Sequence, residues 1–244
     1  MKIEIWSDVV CPWCYIGKRR FEEALERFEH RDDVEVEWKA FELDPTAPAV
    51  RTGNDVERLA QKYGMSLDQA QAAQDRVARL ADDEGLTFDF SIARSGNSFD
   101  AHRLIHLAAE RGGAAAQDAM KERLFRAYFS EGEAIGERDT LVRLATEVAV
   151  GDDGARLTPD EVRAVLESDT FGDAVRDDER EAQQFGISGV PFFVVDRTYG
   201  VSGAQPADAL LEVLDTAWDE AHPRTVLTPA GREGEACEGD DCIV

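Results

Sequence analysis

Ser7-Asp8-Val9-Val10-Cys11-Pro12-Trp13-Cys14-Tyr15-Ile16-Gly17 is the stretch from which the rest of the chain can be read. Before it, Ile3 and Ile5 alternate with Lys2 and Glu4, which predicts a half-buried strand over about residues 2–7. After it, Ile16, Phe21, Ala24, Leu25 and Phe28 recur on one helical face. The two cysteines therefore sit at a strand-to-helix junction. Cys11 is placed at the helix N-terminus, where unpaired backbone N–H groups and the macrodipole favour a negative sulfur. Pro12 suits the first helical position because it lacks an N–H that would have no partner there. Cys14 falls one turn in, expected to be partly buried and protonated until a mixed disulfide forms. Thiol–disulfide exchange needs that division of labour: one accessible, ionised thiol and a second within reach to resolve. The alternative for a C-x-x-C is half of a zinc site. Pro and Trp between the cysteines, a strand before them and a strong helix after them favour redox chemistry.

Working outward, Val34, Val36, Trp38 and Ala40 alternate with Glu35, Glu37 and Lys39, predicting a second strand within about 33–43. Strand, helix, strand is the βαβ unit of a parallel sheet. From about 54 to 186 the pattern is helical, with no strand to defend. Ser66-Leu67-Asp68-Gln69 and Thr158-Pro159-Asp160-Glu161 read as capping boxes. Leu104, Ile105, Leu107 and Ala108, and then Leu141, Leu144, Ala145 and Val148, mark buried helix faces. Gly112-Gly113 reads as a helix stop; with no following Lys and Ser/Thr it is not a phosphate loop. Strands return at Val190–Val195 and Thr198–Ser202, joined by a turn at Asp196-Arg197. Pro206 then opens a final helix with Leu210, Val213, Leu214 and Ala217 on one side. Periodicity stops at Trp218, and residues 219–244, rich in Gly, Pro and Glu, are expected to form a flexible tail.

The fold class this predicts is α/β: an N-terminal βαβ unit and a C-terminal ββα unit forming one split domain (1–45 and 187–218), interrupted by an all-helical insertion (46–186). In Gly189-Val190-Pro191, a proline at the head of a hydrophobic run is tolerated at the first residue of a strand. In enzymes of the thioredoxin fold such a proline is cis and faces the C-x-x-C, and the residue before it offers backbone groups to an extended substrate. Val190–Pro191 is expected to be that peptide.

The active-site stretch resembles that of DsbA-like oxidoreductases of the FrnE type. So do Ser98-Phe99-Asp100-Ala101-His102-Arg103-Leu104-Ile105-His106, Leu124-Phe125-Arg126-Ala127-Tyr128-Phe129, Phe185-Gly186-Ile187-Ser188-Gly189-Val190-Pro191-Phe192-Phe193 and Val201-Ser202-Gly203-Ala204-Gln205-Pro206. The resemblance runs from the first strand to about Trp218. It implies a thioredoxin fold with a helical insertion, with activity carried by Cys11, Cys14 and Pro191 and no bound cofactor or metal. Glutathione-dependent isomerases and kappa-class transferases are similar to it in scaffold. They typically carry serine at the first cysteine and lack the pair, whereas this chain keeps both thiols.

Other features bound the function. Against 27 Lys+Arg stand 51 Asp+Glu, a formal net charge of -24, which repels nucleic acid and anionic membranes. Lysine is limited to Lys2, Lys18, Lys39, Lys62 and Lys121. An acidic, lysine-poor surface suits a high-salt cytosol, where charge is screened beyond ~3 Å at 1 M salt. The N-terminus reads as a strand and not as a signal peptide, which predicts a cytoplasmic protein. His102 and His106 lie four apart on a predicted helix, and packing explains them better than metal binding because no H-E-x-x-H accompanies them. Trp13, between the thiols, is expected to be an exposed substrate contact. Cys237 and Cys242, in Cys237-Glu238-Gly239-Asp240-Asp241-Cys242, read as an auxiliary redox pair. About eighteen residues separate Cys237 from Trp218, a reach of up to ~60 Å when extended. The neighbouring carboxylates should raise these thiols, suiting a relay more than a primary nucleophile. Two further readings of the second pair stay open. They are incidental cysteines, or the other half of a zinc-stabilised binding module that uses all the cysteines of the chain.

Overall fold

A computed structural model describes residues 1–53, 55–151 and 154–223. The four strands are β1 (Lys2–Ser7), β2 (Glu35–Ala40), β3 (Phe192–Val195) and β4 (Tyr199–Ser202), and they form one sheet in the order β2-β1-β3-β4. β1 pairs parallel with β2, Ile5 opposite Trp38, and antiparallel with β3, Ile5 opposite Phe193. β3 and β4 form a hairpin. Its turn residues, Asp196 and Arg197, both take positive φ (46° and 54°), and the Thr198 N–H closes the turn on the Val195 carbonyl at 3.0 Å. Strands from the two ends of the chain thus complete a single sheet.

Helix α1 (Pro12–Arg27) follows β1, and α8 (Ala207–Ala221) packs against it. Between β2 and β3 lie α2 (Asp55–Tyr63), α3 (Leu67–Asp83), α4 (Phe99–Phe129), α5 (Arg138–Ala145), α6 (Pro159–Leu166) and α7 (Gly172–Gln184). Both expected capping boxes form: Ser66 with Gln69 opens α3, and Thr158 with Glu161 opens α6 behind Pro159. The expected stop at Gly112-Gly113 is a break within α4. There Gly113 has a φ of 68°, and a side chain on Gly112 would collide with the Val150 carbonyl, its Cβ 2.2 Å from the oxygen. Only glycine fits either requirement.

The helical block is tied to the outer edge of the sheet by side chains. Gln117 of α4 pairs with Trp38 of β2, accepting from its N–H and donating to its C=O, both at 2.9 Å. Asp178 of α7 accepts from the Ala40 N–H at 2.8 Å. Those backbone groups would otherwise be the free edge of β2.

Three boundaries differ from the sequence reading. β2 is shorter than the alternating run, because only Glu35–Ala40 find partners along β1, from Lys2 to Ser7. β3 begins at Phe192, since Val190–Pro191 is a cis peptide forming the turn before it. α8 continues to Ala221, so Asp219, Glu220 and Ala221 belong to the helix and not to the expected tail. Trp218 anchors that last turn by stacking between His30 and His222, with ring centroids 4.1 and 3.9 Å away. The remainder of the expected tail, from residue 224, lies outside the described residues.

Candidate active site

Cys11 is the N-cap of α1, with extended backbone angles (φ -92°, ψ 114°), and Pro12 follows at the first helical position. No acidic residue stands in the first turn. Its backbone is folded back on the preceding turn, Cys11 N–H donating to the Asp8 carbonyl at 3.1 Å. Cys14, one turn on, donates its N–H to the Cys11 carbonyl at 3.1 Å. The cis Val190–Pro191 peptide stands opposite, and the Cys11 thiol points to the Val190 carbonyl with 3.6 Å between Sγ and oxygen. Gly17 makes that approach possible. A Cβ at this position would lie 2.9 Å from Pro191 Cγ and 3.5 Å from Ala204 Cβ, so the helix can seat against the proline turn only where it carries no side chain.

The structure brings Cys11, Cys14, Val190 and Pro191 together as the sequence predicts. It departs from the expectation of an accessible thiol: Cys11 is only 4% exposed and Cys14 is fully buried. The proline turn covers the sulfur from one side and the helix from the other. Trp13 is likewise half-buried, packed against the edge of the core, and not the exposed contact expected. Both cysteines are free thiols. The Cys14 thiol beside it, burial and the Asp8 carboxylate push the Cys11 thiol up from its ordinary value. The Cys14 N–H works in the opposite sense and is outweighed.

Buried titratable side chains to which the sequence reading gave no role at this site lie close by. Asp8, fully buried, accepts from the Leu43 N–H at 2.7 Å and lies 3.4 Å from His102 Nε2. Burial would raise its carboxyl, but His102, the Leu43 N–H and Ser98 hold it below the usual range. Burial pushes His102 down, toward the neutral form, against the pull of Asp8. His106 is directed elsewhere, to Asp178 at 2.9 Å, so the two histidines serve separate carboxylates. Among the described residues no group of three or more His, Cys, Asp or Glu could hold a metal ion. Lys121 of α4 is fully buried, its ammonium donating to the Ser7 carbonyl at 3.0 Å. The one available signal for it was position: Lys121 shares a helical face with Leu124, Phe125 and Tyr128. Cys237 and Cys242 lie outside the described residues.

The DSBA-like thioredoxin domain family matches residues 2–215. The chain belongs to this family. A solved structure described as a probable DsbA oxidoreductase from Streptomyces coelicolor is 45% identical, covering 100% of this chain and 99% of its own, with a TM-score of 0.82. YwbO of Bacillus subtilis, an uncharacterised protein, is 32% identical over 87% of this chain and 94% of its own length. The cytosolic disulfide reductase DsbM of Pseudomonas aeruginosa shares the fold at 19% identity, with a TM-score of 0.59 and coverage of 90% and 100%. It has also been solved with glutathione. Membership of the DSBA-like family accounts for the sheet completed across a helical block. Among the described residues, no helix is long and apolar enough to cross a membrane.

Proposed function

We propose that this DSBA-like chain catalyses dithiol–disulfide exchange on protein or small-thiol disulfides in the cytoplasm, without a bound cofactor. Cys11 attacks, Cys14 resolves, Val190–Pro191 aligns the substrate strand, and Trp13 flanks it. The observation that carries this is the placement of Cys11 Sγ at a helix N-terminus, 3.6 Å from the carbonyl of the cis-proline turn. An incoming substrate strand takes the place of the Cys11–Val190 contact, setting the attacking sulfur beside backbone that can pair with an extended chain. Both cysteines are retained, which favours exchange over a glutathione-dependent isomerase or transferase. Relatives solved on this fold include a disulfide reductase with glutathione bound, which supports small thiols as partners. The reduced protein, given a disulfide-bonded protein and a regenerating thiol, should turn over many equivalents. A purified reduced chain with no turnover and about one tightly held zinc would instead mark a binding module stabilised by zinc on its cysteines.

The high-salt surface belongs to the same proposal. With a net charge of -24, self-repulsion should weaken the fold at low ionic strength and relax as the Debye length shrinks. Melts across roughly 0.1 to 3 M KCl should show Tm rising by several degrees or more; a flat or falling series would contradict it.

Cys237 and Cys242 complete the proposal as an auxiliary pair that exchanges with the Cys11–Cys14 centre. Replacing both with serine should leave the first reduction of substrate intact and slow regeneration. Unchanged multiple-turnover rates would dismiss the pair from the cycle.

A further inference from the structure

Arg20 is the one arginine of α1 that, among the described contacts, reaches a backbone carbonyl outside its own helix. Arg19 and Arg27 pair with acidic side chains. Arg20 donates from Nε to Glu84, at the C-terminal end of α3, over 2.6 Å, and from Nη1 to the Ala204 carbonyl over 2.8 Å. Both side chains of this ion pair are mostly covered, Arg20 at 18% exposure and Glu84 at 17%, so water competes little for either bond. Ala204 belongs to the turn that follows β4. There Gly203, at a φ of 81°, donates its N–H to the Pro191 carbonyl over 2.8 Å, and the Gln205 N–H returns to the Gly203 carbonyl over 2.9 Å. The Gly203–Pro191 bond lies just beyond the Phe192–Ser202 pair and closes the open end of the hairpin. It therefore holds the turn from which Val190 presents its carbonyl to Cys11. Four-residue strands at the rim of a sheet hold such an end weakly without an outside tie. Helix α1 supplies two. Gly17 lets the helix touch Pro191 and Ala204, and Arg20, three residues later on the same helical face, bonds the Ala204 carbonyl.

The geometry points to Arg20, braced by Glu84, as a positioning residue that sets the Val190–Pro191 turn against Cys11 and so governs recognition of extended protein disulfides. This rests on the exchange reaction and the substrate-aligning turn proposed above. An extended strand bonds to backbone groups that must be in place when it arrives, and a turn free to shift loses binding energy to its own ordering. A small disulfide without peptide groups makes no such bonds and needs only the Cys11 sulfur. Loss of Arg20 should therefore separate the two kinds of substrate, whereas a group that merely supports the fold affects both alike. Through Glu84, the helical block reaches the substrate-aligning turn by way of this one guanidinium and the 203–205 turn.

The test gives the reduced full-length chain two disulfides: insulin, which carries peptide backbone beside its sulfurs, and an aromatic nitrobenzoate disulfide, which carries none. For Arg20→Met the KM for insulin should rise about tenfold with kcat within about twofold, while the rate constant for the aromatic disulfide stays within about twofold of the parent. Arg20→Lys, able to keep one of the two bonds, should recover part of the loss. An equal fall on both disulfides, or an unchanged KM for insulin, would overturn the proposal. Amide hydrogen exchange reads the tie without catalysis: in Arg20→Met the Gly203 N–H should exchange about tenfold faster while the amides of β1 keep the parent rate. If Arg20→Met does not fold, Glu84→Gln loosens the brace and leaves Arg20 in place. The same two readouts should then move about threefold, and parental values would overturn the proposal. A parent chain inactive on both disulfides, with faster Gly203 exchange in the variant, would refute the oxidoreductase function and leave the tie standing. An active chain with parental KM and exchange in Arg20→Met would refute the positioning role alone.

Discussion

Cys11→Ser is expected to remove disulfide-exchange turnover, by on the order of a thousandfold or more, while Cys14→Ser should freeze the reaction halfway. The difference comes from geometry. Cys11 Sγ faces the proline turn, where a substrate would lie, and Cys14 is fully buried one helical turn behind it. A serine at 11 leaves no nucleophile at the gap. A serine at 14 leaves the nucleophile but nothing to release the adduct. The expected result is one equivalent of substrate trapped on Cys11, seen as an added mass that disappears on treatment with reductant. Full turnover by Cys14→Ser without an adduct would reverse the assigned roles. Because serine puts a hydroxyl into a buried, largely apolar place, melting curves recorded beside the activities separate lost chemistry from lost fold.

The Cys11–Cys14 couple should be strongly reducing compared with DsbA, whose potential is about -120 mV because its reduced form is stabilised by a thiolate with a pKa near 3.5. Here the local charges act against a thiolate. Asp8 is close and ionised, Cys11 is buried, and Trp13 brings no cation to the dipeptide. The helix N-terminus supplies what stabilisation there is. Thiolate absorbance near 240 nm should therefore place Cys11 above the ~7 of thioredoxin, and equilibration with glutathione should give a potential nearer about -270 mV than -120 mV. A thiol titrating at or below about 4, or a potential near that of DsbA, would mean that a stabilising group other than these governs the site.

The parts legible in the sequence are those whose signal is local. Alternation at Ile3 and Ile5 and at Val36 and Trp38 shows the parallel pair, Ser66 with Gln69 and Thr158 with Glu161 show helix starts, and Gly112-Gly113 shows a break. The Cys11-Pro12-Trp13-Cys14 motif and Val190-Pro191 were visible as separate signals, and their facing geometry came from the fold they imply. The roles of Asp8, His102, Gly17 and Lys121 were hidden for a common reason. Each acquires its meaning from a partner far along the chain: Gly17 from Pro191, Asp8 from His102, Lys121 from Ser7. A lysine in a helix is ordinary until the fold buries it. The burial of Cys11 was missed for the same reason, since the covering turn comes from the other end of the sequence.

The side-chain clamp on β2 means that the helical block is not removable cargo. Excising residues 46–186 would take away Gln117 and Asp178 together, leaving the Trp38 and Ala40 backbone groups without their partners. Such a shortened chain would be an open-edged sheet prone to recruit a neighbour's strand, and it would not be a minimal thioredoxin. The inserted helices and the sheet therefore stand or fall as one folding unit, and shortening the loops between the helices should be tolerated far better than deleting the helices themselves.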